Sequence, residues 1–425
     1  MLKKFSIILF CFTICSCSWF QSTPLYKSMH PSSKSVDTFK MAETTDYSHV
    51  DLGNGESFRV AMLLPLSGAD AAMGQSMKNA AMMAIGDINN NNLVVQFYDT
   101  KGTGSGARVA LENALNADSR LILGPLRSDE VAAISNVARD KEVPVITFST
   151  SPAVLQEGVY SIGLLHDDQI GRIVKYAATQ GRSRIAAVLP NNSSGANMFR
   201  SLRKAVSKQG VSLVKVGFYA PQSMDFTGLV TQMKSGGVDF DALLIPETGN
   251  RLKAISSMFS YYDVAAPEVL FMGTSVWDNI SLNKETELYG AVYPVMSLKN
   301  QSKFAGKYNE LFSERPSGLS IFAYDAVALA SILSRQGGDL NAQILRSEGY
   351  NGMSGSFRIF ANGQNEHGLD VVKVSPGGKY VVEYAPQQFY GYADAFAEAA
   401  DNYGPMPQII GQSPAELQYG AMTVQ

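Results

Sequence analysis

Alternation of short apolar runs with amphipathic stretches is the feature that most constrains the fold of this chain. The run FRVAMLLPLS is followed by a helical stretch rich in Ala and Met. The pairs LVVQFYDT with ARVALENALNA and RLILGPL with DEVAAISNVARDK repeat that order, and VPVITFS closes the series. Continuous apolar strands that alternate with helices are typical of a parallel sheet covered on both faces.

A second series of the same kind begins after YSIGLLHDD. The runs RIAAVLP, VSLVKVGFY, ALLIP and VLFMGTS alternate with helical stretches such as ANMFRSLRKAVSK and NRLKAISSMFSYY. Two such series predict an α/β fold made of two doubly wound parallel-sheet lobes. The later runs SFRIF, DVVKV and YVVEY are spaced like an antiparallel meander. We expect this part to return and cover both lobes, so that the lobes are joined by a hinge of several strands.

Composition shifts give the predicted segment boundaries. The region before the first strand is rich in Ser, Thr, Asp and Lys without sustained periodicity, which indicates a tether, and the last part of the chain is similarly irregular. The predicted segments are a signal peptide over 1–16, a flexible tether over 17–57, lobe 1 over about 58–165 plus 280–345, lobe 2 over about 166–279 plus 350–385, and an irregular tail over 386–425 in which DAFAEAADNY could form a short helix.

The N-terminus carries an export signal. In MLKKFSIILFCFTICSC, two lysines precede an apolar run of signal-peptide length that is too short to span a bilayer as a helix. The residues before Cys17 resemble the bacterial lipoprotein signal, which implies cleavage before Cys17 and its acylation. The alternative is an ordinary secretory signal cut nearby. We therefore expect a periplasmic protein held to a membrane by lipid, and Ser18 after the cysteine favours the outer membrane.

Composition excludes several kinds of site and partner. Cys11, Cys15 and Cys17 are the three cysteines of the chain, so no intramolecular disulfide and no Cys-based metal site can exist after processing. A formal net charge of -3 without a basic run argues against nucleic acid as a partner. No later segment reaches eighteen uninterrupted apolar residues, so the expected anchor is lipid.

Loops after the strands are where a ligand is expected, because ligands of open parallel sheets bind beyond the carboxyl ends of the strands. The first series supplies PLSGAD, GPLRSDE and FSTSP, and the second supplies LPNNSSG, IPETGN and MGTSVWDN. Their hydroxyl, amide and backbone N–H groups suit a neutral polar or carboxylate-bearing ligand. The candidate ligand-binding residues are Ser67, Ser128, Ser149, Thr150, Ser151, Asn192, Glu247, Thr274 and Ser275.

Each candidate also has a structural alternative. Ser67 can belong to a turn and cap of the first helix, and Ser128 is a suitable N-cap for the helix that follows it. The three hydroxyls of residues 149–151 are too many for one cap, which favours binding. Glu247 is a candidate to receive an ammonium group, or else it lies in solvent. Trp277 is either a lid over the ligand or a packing residue of the second lobe.

Catalysis is the weakest of these interpretations. The chain has four histidines, two of which lie in the predicted tether, and no serine lies in a GxSxG motif. KGTGSGA lacks the GxGxxG spacing, and neither a Walker A loop nor HExxH occurs. We expect no catalytic residue, no cofactor and no metal. His166 in GLLHDDQ is expected to lie on the surface at the start of a helix.

Several ordered motifs together carry a family resemblance. RVAMLLPLSGADAAMGQSMKNAAMMAIGDIN, LILGPLRSDEVAAISNVARDKEVPVITFSTSP, FAYDAVALA and MSGSFRIFANGQ resemble the type I periplasmic binding proteins of the leucine/isoleucine/valine-binding branch, over about residues 58–385. Within that branch, the lipoprotein signal together with RVAMLLPLSG and RLILGPLRSDEV most resembles the lipoproteins called penicillin-binding protein activators.

The resemblance implies two lobes that close on a small ligand. In the amino-acid binders of the family, a serine after the third strand and a hydroxyl-bearing turn after the fourth hold the carboxylate and the ammonium group, and Ser128 and residues 149–151 match them. The second lobe departs from the pattern, because LPNNSSG lacks the usual aromatic residue and GTSVWDN has Thr274 and Ser275 instead of the usual acid. An ammonium site would then require Glu247 or Asp278.

Two functions follow from the resemblance. In the first, the protein binds an amino-acid-like or carboxylate-bearing solute and passes it to the membrane subunits of an ABC importer. In the second, the same scaffold is a penicillin-binding protein activator that docks a peptidoglycan synthase. The missing ammonium site and the outer-membrane signal favour the second function, and the retained hydroxyl turn favours the first.

The lipid anchor is directly testable. We expect the full-length protein to partition into the detergent phase of a Triton X-114 extraction, and Cys17→Ser to move it to the aqueous phase, because lipidation adds a hydrophobic anchor. Cys11→Ser is the matched control and should leave the partitioning unchanged. Detergent-phase partitioning of the Cys17→Ser variant would contradict acylation at this residue.

Overall fold

A computed structural model describes residues 57–386, 389, 405–415 and 417 of the chain. Cys17, the signal peptide, nearly all of the tether and the DAFAEAADNY stretch lie outside the described residues. Among the helices of the described residues, none is both long and apolar enough to cross a membrane.

The first third of the described chain alternates strands and helices as the sequence predicts, and it adds one short final strand that the sequence did not indicate. Its elements are β1 (Phe58–Leu64), α1 (Ala71–Ile88), β2 (Leu93–Asp99), α2 (Gly104–Asn116), β3 (Leu121–Leu123), α3 (Ser128–Asp140), β4 (Val145–Thr147) and β5 (Val159–Ser161). All five strands are parallel, in the order β2-β1-β3-β4-β5. Apolar side chains of the sheet are buried on both faces, one cluster including α1 and the other including α2 and α3.

The middle third repeats the alternation. Its elements are α4 (His166–Thr179), β6 (Arg184–Pro190), α5 (Ser193–Gln209), β7 (Ser212–Tyr219), α6 (Thr227–Lys234), β8 (Ala242–Leu244), α7 (Gly249–Tyr261), β9 (Leu270–Met272) and β10 (Val292–Val295). These strands form a second sheet, again with an apolar cluster on each face. The predicted α/β fold with two doubly wound parallel-sheet lobes is confirmed.

The last third divides between the two lobes. Its elements are α8 (Leu298–Phe312), α9 (Ser320–Leu333), α10 (Leu340–Ile344), β11 (Tyr350–Gly352), β12 (Gly355–Ile359), β13 (Asn365–His367), β14 (Asp370–Ser375), β15 (Gly378–Glu383) and β16 (Gln408–Ile410). The second sheet has the order β15-β14-β10-β9-β8-β6-β7-β16, and β11-β12-β13 form a separate antiparallel sheet.

The lobe boundaries differ from those that the sequence predicts. β10 pairs with β9 and β14 in the second sheet, so residues 292–295 belong to lobe 2 rather than lobe 1. Phe357 and Ile359 of β12 are buried in the same cluster as α1 and α9, so the sheet β11-β12-β13 belongs to lobe 1 rather than lobe 2. The predicted meander is therefore split, because the apolar face of β12 packs on α9 and β14 pairs with β10.

Within the described residues, three chain segments connect the two lobes. They run from β5 to α4, from β10 to α8, and from β13 to β14. The tail adds an element that composition did not indicate, because β16 pairs in parallel with β7 and extends the second sheet. Ile410 of this strand is buried in the lobe 2 core.

Asp325 ties the small sheet of lobe 1 to α9. Its carboxylate accepts hydrogen bonds from the backbone N–H groups of Met353 at 2.6 Å and Ser354 at 2.8 Å, and the residue is 1% exposed. Burial raises the pKa of Asp325 to about 6, against the hydrogen bonds from Ser354 and Met353, which lower it. The turn between β11 and β12 therefore takes its hydrogen-bond acceptor from a helix in another part of the lobe.

Asp325→Ala should destabilise the protein by at least about 2 kcal/mol, because two buried backbone N–H groups lose their acceptor and each costs about 1–3 kcal/mol. Urea unfolding measures the effect. Asp140→Ala, at an exposed position at the end of α3, is the control and should be close to neutral. Equal unfolding midpoints for the two variants would contradict the anchoring role.

His367 is a buried histidine beside the connection from β13 to β14. Its ring stacks on Phe357 at 5.5 Å between centroids and packs edge-on against Phe322. Its Nε2 lies 3.1 Å from the carbonyl oxygen of Ile162. Burial lowers the pKa of His367 to about 4, against this backbone hydrogen bond, which raises it.

The stability contribution of His367 should depend on pH. The unfolded state, with a histidine pKa near 6.5, takes up the proton before the folded state does, so stability is lost as pH falls from about 6.5 to 4. The loss is at most about 3 kcal/mol. His367→Phe removes this titration, so the stability difference between wild type and variant should shrink as pH falls through that window. A difference that is constant between pH 7 and pH 4 would contradict a buried neutral histidine.

Candidate functional site

The carboxyl ends of β1 to β4 share one edge of the first sheet, because the strands are parallel and in register. We call residues 65–67, 124–128 and 148–151 at this edge the first-lobe edge. Ser67 lies on it but is engaged, since its hydroxyl donates to Asp99 Oδ2 at 2.6 Å and its N–H donates to Oδ1 at 3.1 Å. Burial raises the pKa of Asp99, but these bonds and those from the N–H groups of Lys101 and Leu66 bring it below its usual value.

The hydroxyl turn after β4 is built into the sheet edge. Thr147 Oγ1 donates to the carbonyl oxygen of Pro125 at 2.7 Å and accepts from the N–H of Ser149 at 3.0 Å. Ser149 is 4% exposed, and its Oγ accepts from the N–H of Ser151 at 3.4 Å. Thr150 and Ser151 are half-buried. The turn therefore holds one hydroxyl inside and two at the surface of the edge.

Ser128 is the exposed first residue of α3. The N-terminus of the helix is capped instead by the buried Glu130, whose Oε2 accepts from the N–H of Arg127 at 2.9 Å. Burial raises the pKa of Glu130. Thr147 joins the loops after β3 and β4, so Ser128 and the hydroxyl turn lie in adjacent loops, as the sequence predicts.

The second sheet has an equivalent edge. Pro190 is in register with Tyr219, and Leu244 with Met272, so the carboxyl ends of β6 to β9 lie together. We call residues 190–193, 219, 245–251 and 273–278 at these ends the second-lobe edge. Asn192 lies on this edge and caps α5, since its Oδ1 accepts from the N–H of Gly195 at 2.9 Å.

Both edges use a glycine to bring a helix onto the end of a strand. A Cβ on Gly195 would lie 1.8 Å from the carbonyl oxygen of Pro190, and a Cβ on Gly74 would lie 2.1 Å from that of Pro65. Any larger residue would push the first turn of the helix away. The N-termini of α1 and α5 are therefore held close to the ends of β1 and β6.

The loop after β9, with the candidate ligand-binding residues Thr274 and Ser275, is held by contacts within the protein. Thr274 is 2% exposed, and Ser275 is held by Gln169 Oε1, which accepts from its N–H at 2.9 Å and its hydroxyl at 2.7 Å. Trp277 is fully buried and donates its indole N–H to the carbonyl oxygen of Ile245 at 2.9 Å. Of the two roles considered for Trp277, the structure shows packing, not a lid.

Glu247 is neither an open ammonium site nor a solvent-facing acid. Its Oε1 accepts from the hydroxyl of Tyr219, and its Oε2 pairs with Arg251 Nη1 at 3.4 Å. The side chain of Glu247 is 12% exposed and that of Arg251 is 30% exposed. Burial raises the pKa of Tyr219, and the hydrogen bond to Glu247 raises it further. Asp278 is also engaged, by Lys379 and by the hydroxyl of Tyr293.

Sequence reasoning missed two residues of this edge and a third residue that is bonded to it. Arg251 stands four residues after Glu247, which is ion-pair spacing on a helix. Tyr219 is the last residue of an apolar strand run, where a terminal aromatic residue gives no signal of its own. Gln169 lies in the helix after the first lobe connection, and its contact with Ser275 spans 106 residues, a separation that leaves no pattern in the sequence.

One connection joins the two edges. Ser161, at the end of β5, donates its hydroxyl to the carbonyl oxygen of Ser149 at 2.8 Å. Eight residues later, Gln169 holds Ser275. One short crossing of the chain is therefore bonded to the first-lobe edge at one end and to the second-lobe edge at the other. In the part of the chain that the structure describes, no group of His, Cys, Asp and Glu side chains could hold a metal ion.

Comparison with known proteins decides the family. The family described as periplasmic binding protein matches residues 57–379. The chain belongs to this family. It falls in the leucine/isoleucine/valine-binding branch, as the motifs predicted.

Curated relatives are similar over part of their length. The Leu/Ile/Val-binding protein BraC3 of Rhizobium johnstonii is 25% identical over 191 residues, which are 42% of this chain and 52% of BraC3. The chain spans about half the length of the curated relatives it matches.

Solved structures share the fold over most of the chain. The leucine-, isoleucine-, valine-, threonine- and alanine-binding protein of Brucella ovis, in a closed conformation, is 15% identical with a TM-score of 0.62, over 83% of this chain and 100% of that one. A solute-binding protein of an ABC transporter from Rhodopseudomonas palustris, in complex with 3,4-dihydroxybenzoic acid, is 17% identical with a TM-score of 0.56, over 80% and 98% of the two chains.

Proposed function

We propose that this periplasmic binding protein is a non-catalytic receptor that holds a small carboxylate-bearing ligand between its two lobes and delivers it to an ABC importer. The ligand would bind the first-lobe edge, chiefly at residues 149–151, and the second-lobe edge would close on it. Closure requires that the ligand bind the closed arrangement better than the open one. Periplasmic location and a lipid anchor at Cys17 complete the proposal.

The hydroxyl turn after β4 is the observation that carries this function. Thr147 and Ser149 use their polar groups to shape the turn, while Thr150 and Ser151 are left half-buried at its surface. The exposed N-terminal residue of α3, Ser128, lies in the neighbouring loop, and a helix N-terminus favours negative charge. Hydroxyls beside a helix N-terminus are suited to hold a carboxylate.

The structure offers little support for catalysis at the same edge. His166 is the first residue of α4, and burial lowers its pKa. Its Nδ1 is buried and has no hydrogen-bond partner among the described residues, so this nitrogen is not bonded to Ser149 or Ser151. The histidine is half-buried rather than exposed at the surface.

Ligand binding can be tested by thermal unfolding against a panel of organic acids, amino acids and muropeptides. A ligand at about 100 times its Kd adds about 2.7 kcal/mol to stability. The double variant Ser149→Ala, Ser151→Ala should lose the shift, because the turn loses its inner hydroxyl and one of its two outer hydroxyls. The single variant Ser151→Ala, which keeps the buried hydroxyl, should weaken it.

Ser212→Ala is the matched control, because Ser212 is exposed at the opposite end of β7. It should leave the ligand-induced shift unchanged. Wild-type shifts that persist in the double variant would show that the turn is only structural. If no compound stabilises the wild type and a penicillin-binding protein co-purifies with it, the importer function is wrong and docking of a peptidoglycan synthase replaces it.

A further inference from the structure

At the second-lobe edge, the carboxylate of Glu247 already has a cation as its partner. Glu247 is bound on both carboxylate oxygens, by the hydroxyl of Tyr219 and the guanidinium of Arg251. An incoming ammonium group would have to displace the guanidinium of Arg251, which is only four residues further along the same chain. It would also have to enter beside Arg251, whose charge repels it.

Three further acids beside the two edges are engaged as well. Asp278 is bound by Lys379 and Tyr293, and Asp99 accepts three backbone N–H groups and the hydroxyl of Ser67. Asp70, which follows the first-lobe edge, pairs with Arg127 at 3.4 Å. None of these carboxylates is left to balance a ligand ammonium group.

Donors, in contrast, are in excess at the second-lobe edge. Arg251 Nε and Thr248 Oγ1 are buried, and neither has a hydrogen-bond partner among the described residues. Buried polar groups are normally paired, so two such atoms three residues apart call for an acceptor. The side chain of Arg251 is also 30% exposed, and a guanidinium binds carboxylates through a planar fork of N–H groups.

The first-lobe edge is likewise rich in donors. Its half-buried hydroxyls at Thr150 and Ser151 lie one loop away from the N-terminus of α3. A ligand between the edges therefore meets hydrogen-bond donors on both sides. The fold can hold such a molecule, since the Rhodopseudomonas palustris protein of the same fold is in complex with 3,4-dihydroxybenzoic acid, which has no amino group.

We infer that the ligand is an organic acid without an amino group, whose carboxylate binds the first-lobe edge and whose second acceptor, a carboxylate or a hydroxyl, binds Arg251. This inference rests on the proposed ligand-binding function and restricts it to one chemical class. Arg251 then sets specificity, by binding the acceptor directly and by keeping Glu247 from receiving an ammonium group.

Matched pairs of compounds test this class. Isothermal titration would compare 2-hydroxy-4-methylpentanoate with leucine, and glutarate with glutamate, since the acid of each pair has a second acceptor and lacks the amino group, and would include 3,4-dihydroxybenzoate. We expect at least one of the three acids to bind. We expect leucine and glutamate to bind at least tenfold more weakly than that acid. Binding of leucine or glutamate as tightly as its matched acid would overturn the inference while leaving the proposed function intact.

Variants of the second-lobe edge test the role of Arg251. Arg251→Gln should weaken the bound acid at least tenfold and move the preference toward the amino-bearing partner, because Glu247 loses its cation. Arg251→Lys keeps the charge and should restore part of the acid binding. Arg200→Gln, at an exposed position on α5, is the matched control. Equal effects of Arg251→Gln and Arg200→Gln would overturn the assignment.

Tyr219→Phe keeps the test decisive if Arg251→Gln does not fold. It removes the hydroxyl bound to Glu247 and should narrow the preference for the acid over the amino acid. An unchanged preference in a folded Tyr219→Phe variant would contradict the account. If neither acids nor amino acids bind the wild type, the proposed function and this inference both fail.

Discussion

The packing of α9 against α1 is the constraint on which the rest of the structure depends. Twelve of the fourteen residues of α9 are buried, so this helix has almost no surface suited to water. It comes late in the chain, yet its partner α1 is the first helix. To bury α9, the chain must return from the second lobe to the first, and to complete the second sheet with β14 it must cross again.

Because the chain crosses between the lobes, short connecting segments link the first-lobe edge to the second-lobe edge. The crossing after β5 is the clearest case, since Ser161 is bonded to the hydroxyl turn and Gln169 to Ser275. A change in the angle between the lobes would act on both ends of this segment at once. The loops with small polar residues therefore lie where a bound ligand could draw the lobes together. In the hydroxyl turn, the carbonyl oxygen of Ser149 is bonded directly to Ser161 of this connecting segment.

The sequence predicts the repeated α/β pattern well and the long-range returns poorly. Period and apolar content identify β1 to β4 and β6 to β9, because most of these strands are buried on both faces. They miss the short strand β5. They do not say that β10 stays with lobe 2 or that β12 packs on α9, since those choices depend on contacts between distant segments. The tail strand β16 was missed because three residues that pair with β7 carry too little periodicity to stand out.

The candidate site shows the same division. The hydroxyl turn and Ser128 could be located from strand ends alone, and whether a ligand binds them stays a prediction. The state of Glu247 could not be predicted, because its partner Tyr219 comes from another strand. Glu247 looks available in the sequence, but in the fold it is bonded to Tyr219 and Arg251. The second-lobe edge therefore offers a hydrogen-bond donor, Arg251, in place of a free carboxylate. This pairing is the reason why we propose an organic acid, and not an amino acid, as the ligand.

The most direct test is to identify the small molecule that the protein carries from its own cell. The full-length protein would be purified from the native host without added ligand, denatured, and the released compound identified by mass spectrometry. Our account predicts a carboxylic acid with a second carboxylate or a hydroxyl and without an amino group, released in less than stoichiometric amount from a Ser149→Ala, Ser151→Ala variant. Stoichiometric release of an amino acid from the wild type would contradict it.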